Sequence, residues 1–147
     1  MASGVGVTEE CKFAFNDLLK DRKYSAVVLK ISDDLTNVVV DYTQPPQEGG
    51  DAESTYKEFL NTLPESDCRF VIYDFEYVSQ DVKKNRVVMI LWSPESSKVK
   101  AKMMYASSKQ ALLNSLVGIQ TQVQGTDFDE ISYKTIAENI IGSGVRY

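Results

Sequence analysis

The side chains that could do covalent chemistry are few, and their spacing argues against most of it. The chain has no histidine and two cysteines, Cys11 and Cys68. Without an imidazole it lacks both the commonest general base and the usual triad. Two isolated thiols cannot complete a zinc set, and neither has an activating partner for nucleophilic attack. Buried, reduced thiols in an intracellular protein are the expectation. Acidic residues cluster at Asp33-Asp34, Asp74-Phe75-Glu76 and Asp127-Phe128-Asp129-Glu130. Caps, turns and solvated faces account for such groups more readily than metal binding does. Gly4-Val5-Gly6 has no strand before it and is no phosphate cradle. The sequence therefore predicts a protein that is not an enzyme, with no cofactor and no metal.

What remains is recognition chemistry, gathered in one stretch. The chain carries 21 acidic and 16 basic residues, a net charge of −5. Yet from Ser96 through Thr126 there is no Asp or Glu, and there are four lysines, Lys98, Lys100, Lys102 and Lys109. An acidic protein that keeps one segment purely basic presents a local positive surface. Nucleic acid is a poor match, because the net charge is negative and the basic patch short.

The element that positions these lysines reads as one long helix. Ser93-Pro94-Glu95 is helix-start chemistry, Gly118 is a natural stop, and no proline or glycine lies between. The helix opens either at Ser93 or near Ser97, after a turn at Pro94. At about 100° per residue, Ala101, Met104, Tyr105, Ser108, Ala111, Leu112, Ser115 and Leu116 share a small, apolar face suited to a sheet. A second arc holds Val99, Met103, Ala106 and Leu113. Lys98, Lys102 and Lys109 run along one side of this arc, with Lys100 and Asn114 on the other. A surface helix needs only one apolar face. The geometry leaves open whether the second arc meets more of the core or docks on a partner. The charge pattern favours docking, with the helix entering a hydrophobic groove on an acidic partner.

The other elements must hold this helix in place. With 147 residues, 43% of them hydrophobic, the chain suits one domain with a substantial core. It has neither a membrane-spanning apolar run nor a secretory signal. Met1–Gly6 reads as a flexible tail. Thr8 caps a first helix whose apolar stripe is Cys11, Ala14, Phe15 and Leu18. Ser25–Ser32 and Asn37–Tyr42 form a hairpin, and Pro45–Gly50 is a loop. Tyr56, Phe59, Leu60 and Leu63 face inward from a short helix ended by Pro64. Arg69–Tyr77 and Arg86–Trp92 are strands, the second apolar enough for burial on both faces. Ser79–Asn85 is their connector, carrying Lys83 and Lys84. Thr121–Gln124 is a short edge strand, and a last helix anchors through Phe128, Ile131, Ile136 and Ile140. The order is α-β-β-α-β-β-α-β-α, with one sheet covered by helices on both faces.

At this level of detail particular strings become recognisable. DCRFVIYDFEY at 67–77, LWSPE at 91–95, KVKAKMMYASSKQAL at 98–112 and IQTQVQGTDFDE at 119–130 together resemble the actin-depolymerising factor/cofilin family. So do ASGV at 2–5 and AFNDL at 14–18. The likeness spans essentially the whole chain in order. It implies an α/β fold of the α+β type: a single ADF-homology domain at 7–141 between tails at 1–6 and 142–147. Its central mixed sheet has about five strands flanked by helices on both faces.

The resemblance further implies binding to actin monomers and filaments, with severing, depolymerisation and faster turnover. It implies a monomer, cytoplasmic and associated with the cytoskeleton, with phosphoinositides as a further candidate partner. The lysine-rich nuclear signal of some animal relatives is not evident. Carried over residue by residue, the surface shared by monomer and filament binding comprises Ser3, Gly4, Val5, Val99, Lys100, Lys102, Met103 and Asp127. The filament-specific surface comprises Lys83, Lys84, Arg86 and Glu138. Ser3 resembles the family's regulatory phosphorylation site. The chain departs from the family at Leu113, Asn114, Asn139 and Gly142, where members commonly carry basic residues. The nearer alternative is a coactosin-like protein that decorates filament sides with little severing.

Overall fold

Strict alternation along the central strands gives the sheet two buried faces. The computed structural model describes residues 5–46 and 51–145, the side chains of 142–145 excepted. Its elements are β1 (Gly6–Val7), α1 (Glu9–Asn16), β2 (Ala26–Ile31), β3 (Asn37–Gln44) and α2 (Ala52–Leu60). They continue with β4 (Arg69–Ser79), β5 (Val82–Trp92), α3 (Val99–Ser115), β6 (Thr121–Gly125) and α4 (Tyr133–Val145). Val27, Leu29, Phe70, Ile72, Met89 and Leu91 point to one face, where they pack with Cys11 and Phe15 of α1, Leu18 just beyond it, and Tyr105 and Leu112 of α3. Their neighbours Ala26, Val28, Val71, Tyr73, Val88 and Ile90 point to the other, against Tyr56 and Phe59 of α2 and Ile136 and Ile140 of α4. The expected burial of β5 on both faces and the helices on both sides of the sheet are therefore observed.

The mixed sheet has six strands in the order β1-β3-β2-β4-β5-β6, one more than expected. The extra strand is β1, parallel to β3 in the register Gly6↔Asn37 and Val7↔Val38. Two residues show no alternation to read, and their pairing is supplied by Thr36 and Val38, whose carbonyls accept from Gly6 at 2.9 Å and Thr8 at 3.3 Å. The central pairs β3–β2, β2–β4 and β4–β5 are antiparallel, and β6 joins β5 in parallel. In the β2–β3 turn the Asp34 carboxylate accepts from the Ser32 and Thr36 hydroxyls at 2.6 and 2.7 Å. Those bonds, the one from Ser32 foremost, hold its carboxyl below the ordinary range, so this acidic pair serves a turn.

Three expectations need correction. Ser79–Asn85 is not a connector: β4 continues to Ser79, β5 begins at Val82, and Gln80 and Asp81 make the turn with φ of 53° and 63°. Two successive positive φ values match the twist of a two-residue hairpin turn, so Lys83 and Lys84 are strand residues. Thr8 stands at the N-cap of α1, but its hydroxyl donates to the Val38 carbonyl at 3.2 Å and makes no capping bond. The expected last helix is two pieces, a 3₁₀ turn at Phe128–Ile131 and then α4, separated by extended Ser132. Phe128 is consequently no core anchor; it stacks on Trp92 at 4.6 Å with its outer side exposed. Both cysteines are free thiols and buried, as expected, and burial pushes the Cys11 thiol up.

Candidate functional site

α3 opens late, after a turn in which the Ser97 N–H donates to the Pro94 carbonyl at 2.9 Å. Its buried stripe is Tyr105, Ser108 and Leu112, continued by Leu116 at the C-cap. Tyr105 fixes the helix to the sheet, its hydroxyl accepting from the Ile31 N–H at 2.9 Å. With that face committed, Val99 and Met103 turn outward at one-turn spacing and stay 71% and 66% exposed, and Ala106 is exposed beyond them. Leu113 leaves the second arc: it is partly buried against the α1–α3 core. The arc is therefore shorter than the sequence suggested.

The lysines around it differ. Lys98 and Lys100 are exposed. Lys102 is half-buried, and its ammonium donates to the Glu95 carbonyl at 2.8 Å, so it stands in a fixed position at the entry to the helix. The loop carrying Asp127 is tied to the same entry. Ser93 and Glu95 donate their N–H groups to the carbonyls of Gly125 at 2.9 Å and Thr126 at 3.4 Å. Asp127 caps the 3₁₀ turn, accepting from the Glu130 N–H at 3.0 Å. The Glu130 carboxylate reaches back to accept from the Thr126 N–H at 2.6 Å and its hydroxyl at 2.8 Å. That reciprocal pair is capping-box logic displaced by one residue. The bonds from Thr126, its N–H foremost, hold the Glu130 carboxyl below the ordinary range. Thr126-Asp-Phe-Asp-Glu130 was thus legible as a cap, and the role of Glu130 went unread. Gly125 is buried, and a Cβ there would collide with Ile131 Cγ2.

Val5 is buried in the same core as Tyr105 and Leu112, and β1 packs beside α3, which brings the start of the described chain to this helix. Ser3 and Gly4 lie outside the described residues. Val5, Val99, Lys100, Lys102, Met103 and Asp127 are therefore assembled around one end and one flank of α3.

The second set is assembled only in part. Lys84 and Arg86 border a depression with Tyr77, Ile140 and Ile141, and the Arg86 guanidinium donates to the Thr121 hydroxyl at 3.4 Å. Lys83, one residue out of phase, points to the opposite face of the hairpin and lies 3.8 Å from the Glu76 carboxylate. Glu138 is exposed on α4, three residues before Ile141 and so about 60° around the helix from a side chain that lines the depression. Among the described residues no helix is long and apolar enough to cross a membrane, and no group of His, Cys, Asp or Glu is arranged to hold a metal.

A mixed sheet between two helix pairs, with one helix apolar and basic on its solvent side, defines a recognition module. Residues 4–141 match the family of cofilin/tropomyosin-type actin-binding proteins, and the chain belongs to it. It is 46% identical over 140 residues to a cofilin of Ogataea parapolymorpha, covering 94% of this chain and 93% of that one. It is 44% identical over 137 residues to actin-depolymerizing factor 3 of Zea mays, covering 92% and 94%. The crystal structure of Plasmodium berghei actin depolymerization factor 2 superimposes with a TM-score of 0.86 at 33% identity, covering 95% of this chain and 99% of that one.

Proposed function

We propose that this protein binds actin monomers and filaments, depolymerises and severs the filaments, and so speeds actin turnover. The observation that carries the reading is the exposed Val99–Met103 pair on α3, set among Lys98, Lys100 and Lys102. Two apolar side chains one turn apart form the anchor of a helix-in-groove contact. Truncating such an anchor typically costs about 1–3 kcal/mol. Lys100 and Lys102 meet acidic groups at the rim of the groove and contribute steering and orientation more than affinity. Ser3 and Gly4 complete this surface from the N-terminal side and Asp127 from the loop beside the helix entry, while Val5, buried in the core beneath α3, anchors the N-terminal segment there rather than touching actin.

Lys83, Lys84, Arg86 and Glu138 contact the neighbouring filament subunit. Severing follows from binding free energy alone. A protein that binds one filament twist better than another shifts the population toward it and strains the boundary with bare filament. No covalent step is involved, and the protein acts without enzymatic activity. It works as a monomer in the cytoplasm, on the cytoskeleton, and phosphorylation of Ser3 weakens its hold on actin. Names of relatives at 44–46% identity, cofilin and actin-depolymerizing factor, favour this reading over the side-binding alternative.

The test is filament cosedimentation across protein concentration, scoring actin in pellet and supernatant, with Lys100→Ala/Lys102→Ala as control. Actin moving to the supernatant, and the double variant abolishing that shift, is the expected result. Pelleting without release of actin would support the side-binding alternative, and neither pelleting nor release would end the actin reading.

A further inference from the structure

The cross-strand pair Asp74↔Val87 marks a boundary in the β4–β5 hairpin. β2 pairs with β4 only as far as Tyr73, and β6 pairs with β5 only from Val88 on. At the boundary the Asp74 N–H donates to the Ser25 carbonyl at 2.9 Å. Across from it, the Val87 N–H donates to Gln120 Oε1 at 2.9 Å, and the Val87 carbonyl accepts from the Gln120 N–H at 3.0 Å. Past this pair the two strands form an arm that ladders only on itself, ending in exposed Val78, Val82, Lys83 and Lys84. A two-stranded ribbon is marginal on its own and twists readily. Its direction relative to α3 is therefore set at its root.

The root carries a further device. The Arg22 guanidinium donates to Asp74 Oδ2 at 2.7 Å, and Asn85 Nδ2 donates to Asp74 Oδ1 at 3.3 Å. One carboxylate thus joins the end of the first helix to both strands of the arm. Its side chain is 13% exposed, whereas that of Arg22 is 56% exposed. Arg22 reaches it because α1 widens into a π-helical segment at Asp17–Asp21 and closes on Arg22 in the left-handed conformation, φ 54°, ψ 36°. Both features are uncommon and unfavourable for a non-glycine chain, and both contribute to the same placement. On the opposite face the arm's base rests on α4, with Phe75 stacked on Tyr133 at 4.9 Å and the Tyr133 hydroxyl donating to the Glu76 carbonyl at 2.8 Å. The α1 side has the ionic clamp instead.

We propose that Arg22, Asp74 and Asn85 form a clamp that orients the β4–β5 arm and thereby positions the filament-specific surface, without touching actin themselves. This rests on the reading of Lys84 and Arg86 as filament contacts. The experiment compares the full chain with Arg22→Ala, Arg22→Lys and Lys84→Ala/Arg86→Ala. It measures filament cosedimentation, actin-monomer titration and amide exchange at residues 76–85. Because Arg22 is largely exposed, its variants should fold, and their thermal midpoints check this.

The clamp requires that Arg22→Ala weaken filament binding about tenfold through the added ordering of the arm on binding. Monomer binding should stay within twofold, arm amides should exchange faster, and Arg22→Lys should recover part of both effects. Unchanged filament binding by Arg22→Ala, while Lys84→Ala/Arg86→Ala loses it, overturns the clamp and leaves the filament surface standing. Weakened binding with unchanged arm amides also overturns it, since Arg22 would then be a direct contact. If Lys84→Ala/Arg86→Ala binds filaments like the parent, the filament surface falls and the clamp's role with it.

Discussion

Met103→Ala and Met104→Ala are adjacent substitutions of the same chemistry that should fail in different ways. Met103 is 66% exposed, while Met104 is partly buried against the α1–α3 core. Fully burying a methionine side chain contributes about 1.5–3 kcal/mol. Docking can newly bury only the exposed two thirds of Met103, so about 1–2 kcal/mol is available. That corresponds to a loss of about five- to thirtyfold in affinity for actin monomers. The same substitution should change the stability of the free protein by less than about 0.5 kcal/mol, as for surface positions generally. Met104→Ala instead removes core contacts and should cost about 1–2 kcal/mol of stability, below the range for fully buried methionines. Its monomer affinity should change by less than threefold while it remains folded. The assay is titration of fluorescently labelled actin monomers, paired with urea denaturation of each variant. If Met103→Ala bound monomers within twofold of the parent, the outward apolar pair would not be the anchor, and the docking argument from α3 would be wrong.

Further outcomes can be checked around the same helix. Gly125→Ala places a methyl where Ile131 already stands and should cost about 1–3 kcal/mol as overpacking, read from denaturant midpoints. The Glu130 carboxyl is held down by bonds from Thr126, so its stabilising contribution is present above the unfolded-state value and lost as pH falls through the lower folded value. An NMR titration of the Thr126 amide should show a midpoint below that of an unperturbed glutamate, and a midpoint at or above it would contradict the bond. Phosphate on Ser3 would add roughly −1.5 to −2 charges to the proposed monomer-binding surface. Ser3→Glu should weaken monomer binding, and equal affinity to the parent in the same titration would remove Ser3 as a control point.

How far the sequence could be read depended on how directly each element's residues reflect its surroundings. The face of α3 was legible because Tyr105, Ser108, Leu112 and Leu116 repeat at helical spacing against one sheet. β5 was legible from Arg86 to Trp92 because both of its faces are buried from Val87 on. The same strand from Val82 to Asn85 was hidden, since its side chains are exposed there and show no apolar pattern, and Gln80-Asp81 lacks the usual glycine of a hairpin turn. β1 is paired through hydrogen bonds to Thr36 and Val38, a long-range pairing that two residues cannot announce. Leu113 was assigned outward by an ideal wheel, yet the core draws it partly in. For the site, the type and spacing of Val99, Lys100, Lys102 and Met103 singled out the helix. The fixing of Lys102 by a backbone carbonyl, and the Arg22–Asp74 contact, depend on loop paths that periodicity does not encode.

β5 has a mechanical consequence. One uninterrupted strand of 11 residues carries the arm at its beginning and leads at its end into the turn before α3. At about 3.3 Å per residue, that is a strut of roughly 35 Å, braced by neighbours over its second half. With the proposed monomer and filament surfaces at its two ends, the protein would act as a pair of calipers, one jaw braced by the sheet and the other held at the root of the arm. A partner assembly whose two docking points match the gap is gripped at both. One whose points lie a few ångströms apart from it must either yield or release a jaw. Sensitivity to the spacing of subunits, rather than to their chemistry alone, would then reside in the stiffness of a single strand.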